Sequence, residues 1–311
     1  MHRKVRLLCN PWKFLEREAA VCHERPGRNC MQLKLHTETS GRGSDLFLVH
    51  GWALHSGIWD SILPALAQTY RITCVDLPGH GLSRDLPMPA TLPALARQLM
   101  AAAPENAVWL GWSLGGLACL RAALDFPDRL RALVLVSATP RFLTAADWPH
   151  AMPMEQWREF VAGLGREYHK TLQRFLGLQV RADTAARSVL RRLRAAVFAR
   201  GEPRFGDLAK ALQLLHDSDL RAELAQIQLP TLVMTGEHDQ LTPPQAGMVL
   251  AAAVSGAQRV VVPKTAHAPF LSRPAEFSAL LTQFLQKLPA ATVTQAGHHR
   301  RMPHSAGISR E

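Results

Sequence analysis

Six short aliphatic or β-branched runs, at residues 46–50, 71–76, 107–110, 133–137, 231–235 and 259–262, recur along the chain, each bounded by turn residues. Near-continuous apolar runs of this length read as parallel strands buried on both faces. Between them lie stretches of helical length and amphipathic period, at 58–68, 91–103, 114–125 and 244–254. Parallel strands need long crossovers, and helices supply them. The alternation therefore predicts an α/β protein with a doubly wound, mostly parallel sheet and helices on both faces. Residues 31–37 alternate polar and apolar and are expected as an antiparallel strand at the sheet edge.

The pattern is interrupted once. From about Arg141 to residue 218 the strand signal disappears, and the chain becomes helical, arginine-rich and studded with Trp148, Trp157, Phe160, Tyr168, Phe175, Phe198 and Phe205. This predicts a helical cap at 141–218, inserted into a core made of 31–140 and 219–288. A chain of 311 residues, 47% hydrophobic, is long enough to bury one such domain with an insertion. Residues 1–30 lack a clear period and read as an extension; Met31 opens the first expected strand and is a candidate start of translation. The segment 289–311 is polar and reads as a flexible tail, so His298, His299 and His304 are taken as solvated and not as a metal site.

The formal net charge of +11 becomes informative once it is located. Residues 1–30 hold seven Lys or Arg against three acids, and 289–311 hold three against one. Within the core, only 141–218 is unbalanced, with thirteen basic and eight acidic residues. A basic surface on the inserted helices is suited to nucleic acid, an anionic membrane or an acidic protein. There is no helix-turn-helix, aromatic RNA-binding motif or zinc pattern, which argues against nucleic acid. No apolar run approaches the roughly 20 residues needed to span a bilayer, and Asn10-Pro11 interrupts the short run after Arg3, Lys4 and Arg6. Five cysteines (Cys9, Cys22, Cys30, Cys74 and Cys119) without a Cys-x-x-Cys pair suit reduced thiols in a cytoplasm.

Directly after the run at 107–110 stands Gly111-Trp112-Ser113-Leu114-Gly115, followed by a helix-like stretch. A Gly-x-Ser-x-Gly turn between strand and helix strains the serine backbone and lifts its Oγ clear of the sheet. A serine hydroxyl is a weak nucleophile and needs a histidine base oriented by a carboxylate. Asp239, in Gly236-Glu237-His238-Asp239 after the fifth run, and His267, in Thr265-Ala266-His267-Ala268-Pro269 after the sixth, answer that need. Loops after parallel strands emerge at one edge of the sheet, so Ser113, Asp239 and His267 can converge there. Glu237 is the nearby rival to Asp239, and Asp217 and Asp219 are reserve acids. Two N–H groups must meet the oxyanion of acyl transfer: that of Leu114 opens the helix, and that of Trp52 lies in His50-Gly51-Trp52-Ala53. Asp76-Leu77-Pro78-Gly79-His80-Gly81 reads as a structural turn, because it lacks the phosphate-binding glycine patterns. No His/Cys/carboxylate cluster has metal spacing, so the expected chemistry needs neither metal nor cofactor.

Together, His50-Gly51-Trp52, Asp76-Leu77-Pro78-Gly79-His80-Gly81, Trp112-Ser113-Leu114-Gly115-Gly116 and Ala266-His267-Ala268-Pro269-Phe270 resemble the α/β-hydrolase superfamily. More narrowly, with Arg174, Phe175, Leu176, Gly177, Leu178 and Gln179, they resemble its pimeloyl-[acyl-carrier protein] methyl ester esterase family. That resemblance implies an α/β-hydrolase fold and a cytoplasmic, monomeric serine carboxylesterase of biotin synthesis. It also implies a substrate site lined by Trp52, Ser113, Leu114, Phe175, Leu176, Gly177, Leu178, Gln179 and His267. The acidic acyl carrier protein is the implied partner, docking at Lys170, Arg174, Arg187 and Arg191. Lys170 and Arg174, and again Arg187 and Arg191, are spaced i,i+4, so each pair shares a helix face. Other readings of the same residues are a broad short-chain carboxylesterase and a non-catalytic ligand-binding protein. Dehalogenation is excluded, since it needs an aspartate where Ser113 stands.

Overall fold

The computed structural model describes residues 34–289. The expectations for residues 1–30, for the tail from residue 290 with His298, His299 and His304, and for Cys9, Cys22 and Cys30 lie outside that range. The first half of the chain forms β1 (Thr37–Gly41), β2 (Ser44–Val49), α1 (Leu63–Leu66), β3 (Tyr70–Val75), α2 (Leu92–Ala102), β4 (Ala107–Trp112), α3 (Leu114–Asp125) and β5 (Leu130–Val136). Four helices follow without a strand: α4 (Met154–Arg166), α5 (Tyr168–Leu178), α6 (Ala186–Ala199) and α7 (Phe205–Asp217). The chain then returns through β6 (Thr231–Gly236), α8 (Pro244–Ala253), β7 (Gln258–Val262), α9 (Pro269–Ser272) and α10 (Pro274–Gln286).

One seven-stranded sheet has the order β1-β3-β2-β4-β5-β6-β7. Every neighbouring pair is parallel except β1 with β3. All six residues of β4 and of β6 are buried, as expected for strands covered on both faces. Because β2 lies between β3 and β4, the chain leaves it to one side and returns on the other. This is a topological switch point, where loops diverge at the strand ends and leave a crevice. The pairing of Val49 with Gly111 sets the carboxyl ends of β2 and β4 level, so Gly51-Trp52 lies beside Ser113.

Two expectations are corrected. The edge strand is antiparallel, but it runs over Thr37–Gly41, and residues 34–36 precede it outside any strand; residues 31–33 of the expected span lie outside the described range. Its five residues are exposed on both faces, so no apolar alternation marks them. Of the region 58–68, only Leu63–Leu66 is α-helical, preceded by a 3-10 turn at Ser56–Trp59. Pro64 in the first turn of α1 lacks an N–H, which prevents a helix from continuing through it. The remaining elements start and end within about three residues of the expected positions, and α2 is capped by Thr91, whose Oγ1 accepts from Ala94 N.

The insertion leaves and re-enters the core at one neck. There Leu220 N donates to Pro140 O at 3.0 Å, and Arg141 pairs with Asp219 at 2.6 Å. A second tie lies at the end of α6. Arg200 reaches Asp76 Oδ2 at 3.3 Å, Ser56 Oγ at 2.9 Å and Glu38 Oε2 at 2.7 Å. Asp76 is fully buried and also accepts from Ser56 N and Leu82 N, so its charge is neutralised by one guanidinium and two backbone donors. Among the described residues no helix is long and apolar enough to cross a membrane.

Candidate active site

Ser113 sits between β4 and α3 with φ 55° and ψ −117°, a conformation that non-glycine residues rarely adopt. Its strain is sustained by close packing: a Cβ on Gly115 would run into the carbonyls of Val49 and His50, and one on Gly116 into Ala138. The Ser113 N–H donates to Val136 O at 3.0 Å, which ties the elbow to the end of β5. Leu114 opens α3, so its N–H belongs to the first turn, which has no partner within the helix.

Asp239 follows β6 and His267 follows β7, and their side chains meet. His267 Nδ1 lies 2.8 Å from Asp239 Oδ2, with both residues buried. The carboxylate is fixed on its other sides by Leu241 N, by Thr242 N and by Thr242 Oγ1 at 2.7 Å. Burial pushes the Asp239 carboxyl up, but the facing His267 and the hydrogen bonds from His267 and Thr242 outweigh it and hold the group below its usual range. An ionised Asp239 makes Nδ1 the protonated nitrogen of His267 and leaves Nε2 without a proton, free to accept one. Trp112 Nε1 donates to the His267 carbonyl at 2.8 Å, and the two rings lie 5.6 Å apart, so the residue before Ser113 is in contact with the histidine. Among the described residues no hydrogen bond joins Ser113 Oγ to His267; such bonds commonly tighten only when substrate is bound.

The competing acids are engaged elsewhere. Glu237 accepts from Lys264 N at 2.8 Å, Asp219 pairs with Arg141 and Arg221, and Asp217 accepts from Gln213. Thr242, which no sequence argument singled out, is the additional polar group on Asp239. Its position three residues after the aspartate, where the carboxylate caps the turn, was the available signal.

On the opposite side of the elbow, a Cβ on Gly51 would come within 3.1 Å of the Trp112 ring and 3.2 Å of Ser113 Cβ. A larger residue there would have to push the Trp112 ring or Ser113 aside by a few tenths of an ångström. His50 shapes the same turn: its Nε2 accepts from Leu77 N at 2.9 Å, so Nδ1 carries the proton and donates to Gly51 O at 2.8 Å. Burial drives its pKa down to about 3, so the ring is neutral. Trp52 points its side chain to the insertion, donating to Leu208 O at 3.0 Å and stacking edge-on against Phe160 and Phe175. The Trp52 backbone therefore stays beside Ser113 while its ring anchors α4, α5 and α7.

Of the segment from Phe175 to Gln179, Phe175, Leu176 and Gln179 are buried, a Cβ on Gly177 would meet nothing within 4 Å, and Leu178 is exposed. The Gln179 carbonyl accepts from His267 N at 3.0 Å, which brings the segment directly to the histidine. Lys170, Arg174, Arg187 and Arg191 are exposed on α5 and α6. Lys170 pairs with Glu167 at 3.0 Å, whereas Arg174, Arg187 and Arg191 make no ion pair among the described residues. Among the described residues no group of three or more His, Cys, Asp or Glu is placed to hold a metal ion.

A strained serine, a buried His–Asp pair, a helix-opening N–H at Leu114 and the adjacent Gly51-Trp52 turn are parts that suit acyl transfer. A model of the α/β hydrolase fold matches residues 46–274, a span that contains all of them. The pimeloyl-[acyl-carrier protein] methyl ester esterase of Xanthomonas oryzae pv. oryzae (strain MAFF 311018) is 44% identical over 256 residues, covering 82% of this chain and 100% of that protein. The chain belongs to the pimeloyl-[acyl-carrier protein] methyl ester esterase family of α/β hydrolases. A second relative of that name, from Stenotrophomonas maltophilia (strain R551-3), is 41% identical over 257 residues, covering 83% of this chain and 98% of its own length. Among solved structures, a hydrolase from Pseudomonas aeruginosa PA01 is similar with a TM-score of 0.69 and 30% identity, covering 83% of this chain and 99% of that one. As a member of this family the chain has matches for the full length of its relatives.

Proposed function

We propose that the protein is a serine carboxylesterase that hydrolyses the methyl ester of pimeloyl-[acyl-carrier protein], releasing methanol and leaving the free carboxylate on the carrier-bound chain for biotin synthesis. The observation that carries this reading is the buried Asp239–His267 pair beside the strained Ser113, in a chain that spans the full length of relatives bearing that name.

Ser113 Oγ attacks the ester carbonyl while His267 Nε2 takes its proton, and the N–H groups of Leu114 and Trp52 receive the oxyanion. Loss of one such donor typically costs about 3 kcal/mol in the transition state. Collapse of the tetrahedral intermediate breaks the bond to the methoxy oxygen, which leaves as methanol with the proton from His267. Water, deprotonated by His267, then attacks the acyl-Ser113 ester, and the carboxylate departs as Ser113 recovers its proton. No cofactor enters the cycle. The inserted helices act as a cap, with Trp52 and the segment from Phe175 to Gln179 lining the acyl site. The unpaired Arg174, Arg187 and Arg191, with Lys170, support docking of the acidic carrier protein on α5 and α6. A monomer acting in the cytoplasm completes the reading.

The test compares the purified protein on carrier-bound pimeloyl methyl ester and on free short-chain esters, with Ser113→Ala and Arg187→Glu/Arg191→Glu variants alongside. We expect kcat/KM to favour the carrier-bound ester, Ser113→Ala to be inactive, and the double charge reversal to lower only the carrier-bound rate, by about tenfold at low salt. Preference for free short-chain esters would replace this reading with a broad carboxylesterase. Failure of a fluorophosphonate to label Ser113 would leave a non-catalytic binding protein.

A further inference from the structure

We infer that Asp183, in the turn between α5 and α6, is a positioning residue for His267: its carboxylate fixes the backbone of the loop that presents the histidine. The inference rests on His267 being the base for Ser113. It concerns how that base is placed, which neither the motif nor the family resemblance assigns to Asp183.

The loop from Lys264 to His267 runs between β7 and α9, and little of its geometry comes from its own residues. Lys264 N donates to Glu237 Oε2 at 2.8 Å, and Thr265 O accepts from His238 N at 2.8 Å. The next two N–H groups turn away from the sheet to the insertion. Ala266 N donates to Asp183 Oδ2 at 2.9 Å, and His267 N donates to Gln179 O at 3.0 Å. Ala266 and His267 are each 1% exposed, so neither N–H has water as a substitute partner.

Asp183 is itself closely fixed. Its Oδ1 accepts from Ala185 N at 2.7 Å, which places the carboxylate at the start of α6, and its Oδ2 also accepts from Ser272 Oγ in α9. It is 7% exposed and makes no ion pair among the described residues, so N–H and O–H donors alone hold it. One side chain thus joins the insertion, the histidine loop and α9. It is also the single acid within residues 168–201, a stretch otherwise rich in arginine.

The chemical consequence follows from where His267 is anchored. Asp239 sets the ring through Nδ1, but the distance from Nε2 to Ser113 Oγ also depends on the backbone that carries the ring. Loss of the Asp183 acceptor leaves the Ala266 N–H buried without a partner, and the loop must shift to satisfy it. Displacements of about 1 Å in a catalytic group can cost up to about a hundredfold in rate.

The test uses the full chain and p-nitrophenyl acetate, a small neutral ester that needs no carrier docking. Asp183→Ala is expected to lower kcat about tenfold with KM changed less than twofold, and to slow fluorophosphonate labelling of Ser113 by the same factor. Asp183→Asn, which keeps one acceptor oxygen, should lose about threefold. Leu193→Ala, a cavity within α6 that leaves every hydrogen bond of Asp183 in place, is the control: it should lower the thermal midpoint while leaving kcat within twofold. The inference is overturned if folded Asp183→Ala keeps kcat within twofold, if KM alone rises, or if Leu193→Ala lowers kcat equally. Should Asp183→Ala not fold, Asp183→Asn decides, and unchanged kcat in that variant overturns the inference. Hydrolysis surviving in Ser113→Ala would instead sink the serine reading itself, and so separates the two failures.

Discussion

At the scale of single residues, the most exacting geometry belongs to Asp239, whose two oxygens accept four hydrogen bonds from His267, Thr242 and Leu241. An amide in its place keeps the shape and reverses one bond, since its NH2 would donate to His267 Nδ1. The histidine would then carry its proton on Nε2 and could not accept one from Ser113. Asp239→Asn is expected to lower kcat by about 10⁴-fold with a native circular dichroism spectrum, as for the equivalent change in other serine triads. A loss below tenfold would show that another acid orients the histidine. Ser113, Asp239 and His267 were legible in the sequence because each follows an apolar strand, and a parallel sheet brings such loops to one edge. Asp183 was not, because its role depends on a contact across 83 residues to Ala266, and Thr242 was marked only by its place three residues after Asp239. A polar side chain without a strand before it carries no local mark of where it will point.

At the scale of elements, legibility follows burial. The inner strands are apolar along their length because both faces are covered, so they stand out as runs. β1 is exposed on both faces and has no such signature; the alternation of polar and apolar residues falls just before it instead. β1 nonetheless takes part in holding the insertion, since Glu38 receives Arg200 from the end of α6. Arg200→Ala removes the cation from buried Asp76 and leaves that carboxylate with its backbone donors alone. Removal of one partner from a buried pair typically costs about 3–5 kcal/mol, and the partial exposure of Arg200 places this case lower, at about 2 kcal/mol. Urea unfolding would show it as a lower midpoint with α6 more accessible to amide exchange. An unchanged midpoint would mean that the neck at Pro140–Leu220 holds the insertion by itself.

For the molecule as a whole, three histidines packed around the first strand ends contribute to its acid sensitivity. Burial pushes His50 down to about 3 and lowers His55 and His80 as well. The unfolded chain protonates them near 6.5, while the folded protein keeps His50 neutral to about pH 3. Between those values the unfolded state binds more protons. The contribution of His50 is therefore present above about pH 6.5 and is lost as pH drops, by up to about 1.4 kcal/mol per unit, and His55 and His80 act in the same direction. Urea unfolding at pH 7, 6 and 5 should give a steadily decreasing free energy; a flat profile would mean that the rings are protonated in the folded protein. The strand order has a separate effect, on the time course of synthesis. Ser113 is complete once β4 and α3 exist, but Asp239, His267 and the turn that braces them come after the whole insertion. At roughly 5–20 residues per second, the ribosome needs on the order of ten seconds to travel from the serine to the histidine. On the proposed mechanism the nascent chain in that interval displays an elbow with no base behind it, so the hydroxyl stays inert toward cellular esters until the loop after the last strand is made.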